Sequence, residues 1–134
     1  MTNKYLIIDD DQMTLFLCSM LIRKTIKNAE VVTFDKPEEA LTYIGANYPV
    51  ADSGQTILLI DTNMTTLSGW DVIQRITEMN PYVIDQFCIY VQSSSVEDKD
   101  MERAASHPHI IDFVSKPLTR AFITDIAHIG CKAE

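Results

Sequence analysis

Five apolar runs, each closed by a polar or charged residue and followed by a helical pattern, constrain this chain more than any other feature. Tyr5-Leu-Ile-Ile8 is closed by Asp9-Asp10-Asp11, and Thr56-Ile-Leu-Leu-Ile60 by Asp61. Phe87-Cys-Ile-Tyr-Val91 is closed by Gln92 and three serines, and Ile110-Ile-Asp-Phe-Val114 by Ser115-Lys116-Pro117. Val31-Val-Thr-Phe34, closed by Asp35, is the remaining run. Strands with little polar alternation are buried on both faces, as in parallel sheets. Apolar strands alternating with helices predict parallel pairing through right-handed crossovers. The pattern therefore predicts an α/β fold, a doubly wound parallel sheet of five strands with helices on both faces.

The helical stretches carry their own signals. Residues 12 to 27 place Phe16, Leu17, Met20 and Leu21 at three- and four-residue spacing, which predicts an apolar face. Asp35 is the expected N-cap of the second helix, with Pro37 in its first turn and Glu38 and Glu39 near the positive dipole end. That helix would turn Ala40, Leu41 and Ile44 inward. Residues 47 to 55, with Pro49, Ser53 and Gly54, read as a loop. A helix over about 70–79 carries Val72, Ile73 and Ile76, and Pro81 follows its end. A polar helix is expected over about 96–106, and a last one over about 120–129, capped by Thr119. No repeat or domain boundary interrupts the pattern, so residues 1–134 read as one domain with no separate output domain.

A net charge of −8 argues against binding nucleic acid, which needs a face of Lys and Arg. It suits protein partners, or a site that holds a divalent cation. The cysteines, Cys18, Cys88 and Cys131, form no Cys-x-x-Cys pair. Structural zinc and a disulfide framework are not expected, and Cys18 and Cys88 read as small buried apolar residues. No secretory h-region and no apolar run of membrane-spanning length are visible, which predicts a cytoplasmic protein away from membranes.

In an open parallel sheet, ligands bind beyond the carboxyl ends of the strands, where the strand order reverses. The strand ends deliver Asp9, Asp10, Asp61, Gln92, Ser93 and Lys116 to that edge. Three carboxylates in one cleft repel one another, and a hard divalent cation, Mg²⁺ or alternatively Mn²⁺, relieves the conflict. With a lysine and a hydroxyl on the same rim, the cleft suits a transferring PO₃ group. The metal and Lys116 offset its charge, Ser93 donates a hydrogen bond, and an aspartate carboxylate is the nucleophile.

Ile-Ile-Asp9-Asp10-Asp11, Leu-Ile-Asp61-Thr-Asn63-Met64, Ser93-Ser94-Ser95 and Phe113-Val-Ser-Lys116-Pro117 together resemble the response-regulator receiver family. The resemblance runs over nearly the whole chain, with its motifs in the family's order. It implies a flavodoxin-like (βα)5 fold with strand order 2-1-3-4-5. It makes Asp61 the phosphoacceptor, Asp10 a direct metal ligand, Asp9 its partner acting largely through a bound water, and the Asn63 carbonyl a further ligand. Lys116 would bind the phosphoryl group, and the Lys116-Pro117 bond is expected to be cis. Ser93 and Phe113 would form the switch, and Asn63 and Ser95 would set the rate of dephosphorylation. A histidine kinase or histidine phosphotransferase would be the donor. The output would go to an unknown downstream protein or along a relay, from a monomer or a weak dimer. Such a protein catalyses only its own phosphorylation and dephosphorylation, and is not otherwise an enzyme.

Plainer readings stand beside these. Asp11 reads as a helix N-cap, Ser94 and Ser95 as loop residues, and Phe113 as core. His107, His109 and His128 read as surface or loop residues, and Trp70 as packing the start of a helix. Thr65 replaces the family's usual proline, Gln92 an apolar residue, and Ser106-His107-Pro108-His109 the usual Ala-Gly. A receiver-like module that ignores phosphate is the alternative of another class, separated by its failure to take up a phosphoryl group. An aspartate-nucleophile phosphohydrolase would want a second acid where Asn63 stands. A flavin carrier would want a phosphate-cradling loop after the first strand, and none follows it.

Overall fold

The computed structural model describes residues 3–50, 54–93 and 97–129. Its strands are β1 (Lys4–Ile8), β2 (Glu30–Phe34), β3 (Thr56–Asp61), β4 (Phe87–Ser93) and β5 (Ile110–Ser115). Its helices are α1 (Gln12–Thr25), α2 (Pro37–Asn47), α3 (Gly69–Thr77), α4 (Pro81–Ile84), α5 (Asp98–Ser106) and α6 (Arg120–Ile129). The sheet is parallel throughout, in the order β2-β1-β3-β4-β5. This is the flavodoxin-like arrangement the motifs imply, with one helix more than the sequence predicts.

The two-residue period of a strand divides β1 between two cores. Leu6 and Ile8 pack with Ala40 and Ile44 of α2, Val72, Ile73 and Ile76 of α3, and Ala104 of α5. Tyr5 and Ile7 pack on the opposite face with Leu15, Cys18 and Ile22 of α1 and Ile123, Ile126 and Ala127 of α6. Each fully buried Leu or Ile contributes about 1.5–3 kcal/mol relative to exposure. β3 and β4 are buried along their full length, whereas the edge strands β2 and β5 are partly exposed. The register sets Ile8 beside Ile60, Asp61 beside Gln92, and Ser93 beside Ser115, so the strands end at a common edge.

Several local expectations hold. Asp11 caps α1, accepting from the Met13 N–H at 3.1 Å, and Thr119 caps α6, accepting from the Phe122 N–H at 3.1 Å. Ala40, Leu41 and Ile44 are buried, as are Val72, Ile73 and Ile76. Trp70 is buried at the start of α3, with the Arg103 guanidinium 4.6 Å from its ring centroid.

Others are corrected. α1 buries Leu15, Cys18 and Ile22, and leaves Phe16, Leu17 and Met20 59%, 56% and 37% exposed. The N-cap of α2 is Lys36, which makes no side-chain cap. Asp35 instead accepts from Gln12 Nε2 at 2.9 Å, which ties β2 to α1. Pro81 does not merely follow a helix: it opens α4, whose cap Asn80 accepts from the Tyr82 N–H at 3.0 Å. Cys18 is a buried free thiol, as read, but the buried Cys88 is disulfide-bonded. Spacing gave no signal of that bond, because the fold and not the sequence separation decides which sulfurs meet. Ser53, Ser94, Ser95, Val96 and Cys131 lie outside the described residues.

Candidate functional site

Asp9, Asp10, Asp61 and Lys116 converge at the carboxyl edge of β1, β3 and β5. Asp9 is fully buried, Asp61 is 6% exposed and Asp10 is exposed. Lys116 Nζ is in direct contact with Asp9 Oδ2 and lies 3.6 Å from Asp61 Oδ1. Asp9 Oδ1 accepts from the Asp11 N–H at 2.9 Å, so both of its oxygens are engaged. A buried carboxylate of this kind persists because a cation and a backbone donor offset its desolvation.

Asp61 is held differently. Its carboxylate accepts from the Asn63 N–H. Burial, and after it the Asp9 charge, push its pKa up to about 6 against the pull of Lys116. Burial draws the Lys116 pKa down, but the hydrogen bond and charge of Asp9, with Asp61 behind them, outweigh it and raise the pKa. Lys116 therefore stays cationic at neutral pH. One cation faces three carboxylates, and the negative charge of the cleft is not fully offset.

The three carboxylates each offer an oxygen, and these oxygens lie within 4.8 Å of one another. An all-oxygen, acidic donor set with a surplus of negative charge fits a hard divalent cation. The residues present therefore suit the ion that the sequence implies.

Neighbouring elements fix this geometry. The Lys116 N–H donates to the Ser93 carbonyl at 2.8 Å, which docks the lysine against the end of β4, and the Lys116-Pro117 peptide is cis. α3 starts directly under Asp61. Its cap Ser68 exchanges hydrogen bonds with Asp71, each at 3.1 Å, in a capping box. The Gly69 N–H donates to the Thr62 carbonyl at 3.1 Å. A Cβ on Gly69 would collide with the Asp61 carbonyl oxygen, so only glycine lets the helix approach β3 this closely.

The family described as response regulator receiver domain matches residues 5–128. The chain belongs to that family. Receiver domains are the phosphoacceptors of two-component signalling, and this chain is one of them. Its structure is similar to a two-component response regulator from Cytophaga hutchinsonii, at 26% identity and a TM-score of 0.84, covering 93% of each chain. It is also similar to a response regulator receiver protein from Dyadobacter fermentans, at 25% identity and a TM-score of 0.81, covering 93% of this chain and 95% of that one. The phosphorylated cyanobacterial phytochrome response regulator RcpA, at 19% identity, a TM-score of 0.72 and coverage of 96% and 91%, shares the fold. No curated protein matches the chain.

The receiver's remaining sequence-predicted residues lie around this centre. Ser93 is buried at the end of β4. Phe113 is half-buried on β5 and packs against the cluster that holds Ile89 and Val91. Beside it, a cavity of about 290 Å³ is bounded by Met101, Ala104, Ile110 and Asp112. Asn63 is exposed on the loop after β3. His107 and His109 are half-buried in the loop before β5 and His128 is exposed on α6, none of them at the site. Sequence reasoning missed Gly69, and it missed Thr65. Thr65 donates to Asp10 Oδ2 twice, from its N–H at 3.0 Å and its hydroxyl at 2.9 Å. The only sequence signal was that Thr65 stands where the family usually has proline.

Proposed function

We propose that Asp61 is the residue that takes the phosphoryl group, from the phosphohistidine of a histidine kinase or histidine phosphotransferase. The observation that carries this reading is the Lys116 ammonium lying between the buried Asp9 and Asp61 at the open edge of the sheet. An Asp61 carboxylate oxygen attacks phosphorus in line while the P–N bond to the donor imidazole breaks. The electron pair goes to that ring nitrogen, and because the ring is protonated at its other nitrogen it leaves as neutral imidazole, with an acyl phosphate on Asp61. Lys116, already held toward Asp61, offsets the charge on the transferring oxygens. Asp9 orients Lys116 and keeps it charged. Asp9, Asp10 and Asp61, with the Asn63 carbonyl, would hold Mg²⁺ or Mn²⁺, which supplies further charge neutralisation at the phosphoryl oxygens. The protein catalyses the phosphorylation and dephosphorylation of its own carboxylate.

Switching uses Ser93 and Phe113. The Ser93 hydroxyl donates to a phosphoryl oxygen, and Phe113 turns into the space released. The half-buried place of Phe113 beside a cavity supports this, because a ring already part-way into the core costs little to move further. The donor packs beside the site on α1. Met13, Phe16, Leu17 and Met20 are exposed there as an apolar stripe, and a cavity of about 270 Å³ lies between Leu17, Leu21, Lys116 and Leu118.

The test is intact mass after incubation with Mg²⁺ and acetyl phosphate or phosphoramidate. One phosphoryl group is expected on the wild type, and none on Asp61→Asn or in EDTA. Uptake by Asp61→Asn equal to the wild type would move the acceptor elsewhere. No uptake by a folded wild-type protein under either donor would sink the reading.

A further inference from the structure

We propose that Thr65 is a positioning residue that presets Asp10 for the divalent cation, an inference that rests on the cation site proposed above. Asp10 differs from the other two carboxylates of the cluster. Asp9 and Asp61 are buried and touch Lys116, but Asp10 is exposed on the loop between β1 and α1. An exposed aspartate samples several rotamers, and a cation that recruits it must order it.

Among the described residues, the hydrogen bonds to the Asp10 carboxylate both come from Thr65, and both fall on Oδ2. Two donors from one residue restrain the direction of the carboxylate, and Oδ1 takes neither of them. The contact joins residues 55 positions apart, so it also ties the loop after β1 to the loop after β3. Asp9 and Asp10 lie on the first of these loops, and Asp61 ends the strand that runs into the second. Both donors depend on the residue type. The hydroxyl needs Thr or Ser, and the N–H needs anything but proline, which has no backbone donor. A proline here, as the family usually has, would fix φ but offer neither the N–H nor a hydroxyl to Asp10. This chain gives up that fixed φ and gains a two-point clamp on the carboxylate.

The experiment is calorimetric titration of Mg²⁺, repeated with Mn²⁺, into the unphosphorylated full chain without a phosphodonor. Thr65→Ser keeps both donors and is expected to bind within about twofold of the wild type. Thr65→Ala loses the hydroxyl and is expected to bind about 3- to 10-fold more weakly, the range for one hydrogen bond. Thr65→Pro loses both and is expected to bind on the order of 10-fold more weakly or worse. In an Asp10→Ala background, Thr65→Ala is expected to make no further difference, which separates positioning from general loop damage. Equal or tighter binding by Thr65→Ala and Thr65→Pro, or an undiminished Thr65→Ala effect in the Asp10→Ala background, would overturn the inference and leave the cation site standing. A folded wild-type chain that takes up neither ion would overturn the cation site itself, and this inference with it.

Discussion

The middle of the sheet and its carboxyl edge follow opposite rules. In the middle, Ile7, Leu58, Leu59 and Ile89 have no exposed surface and lie within the two apolar clusters. Every contact there favours the folded state. A few residues further along the same strands, Asp9 and Asp61 are buried together, and Asp61 holds its proton up to about pH 6. Gln92 is fully buried, and neither atom of its amide finds a partner among the described residues; the same holds for the Thr62 hydroxyl. Unpartnered buried polar groups oppose folding. The comparison teaches that the chain tolerates local instability at one edge because the layer beneath is strong enough to hold it.

Substitutions at the two regions should therefore move stability in opposite directions. The largest effect is expected for Leu58→Ala in the middle of β3, a loss of about 3–5 kcal/mol in chemical denaturation. A loss below about 1 kcal/mol would mean that the layer is not the support described here. Asp61→Asn should do the reverse, and gain on the order of 2–3 kcal/mol at pH 7 without divalent cation. The sign follows from the raised pKa. The folded protein binds this proton more tightly than the unfolded chain does. Stability is then greatest below the unfolded value of 3.8 and is lost as pH rises toward about 6, after which it is flat. Asparagine does not titrate, so its advantage should vanish near pH 4 and reach its full size above pH 6. An advantage of equal size at pH 4 and pH 7 would show that charge is not its cause. The smallest effect on stability is expected for Phe16→Ser with Leu17→Ser, within about 0.5 kcal/mol, since both side chains face solvent. The same pair should slow transfer from a histidine phosphodonor and leave uptake from acetyl phosphate unchanged. Equal slowing with both donors would remove α1 from the docking surface.

The strands were legible because each is a short apolar run stopped by a charged or polar residue, and two-sided burial leaves little else for such a run to do. Asp9, Asp10, Asp61 and Lys116 were legible for the same reason, as the stops themselves. The exposed face of α1 was not. Leu15, Cys18 and Ile22 form one apolar stripe and Phe16, Leu17 and Met20 another, and periodicity alone allows either to face the sheet. Packing against Tyr5, Ile7 and Ile123 decides between them, and that information lies elsewhere in the chain. α4 was hidden because proline marks both the end of one helix and the start of the next. Thr65 was hidden because its partner is remote in sequence. A departure from a family pattern says that something differs without saying which atom gains.

The ion pair between Lys116 and Asp9 spans 107 residues, close to the full length of the chain. It ties the residue just after β5 to the residue just after β1. Closing a loop of that length costs more entropy than making a local contact, although the cost grows only slowly with length. During synthesis, Asp9 and Asp61 leave the ribosome well before Lys116 does, and until then the two acids have no cation of the chain's own between them. A chain truncated before β5 would keep Asp61 but lack the lysine that stands 3.6 Å from it.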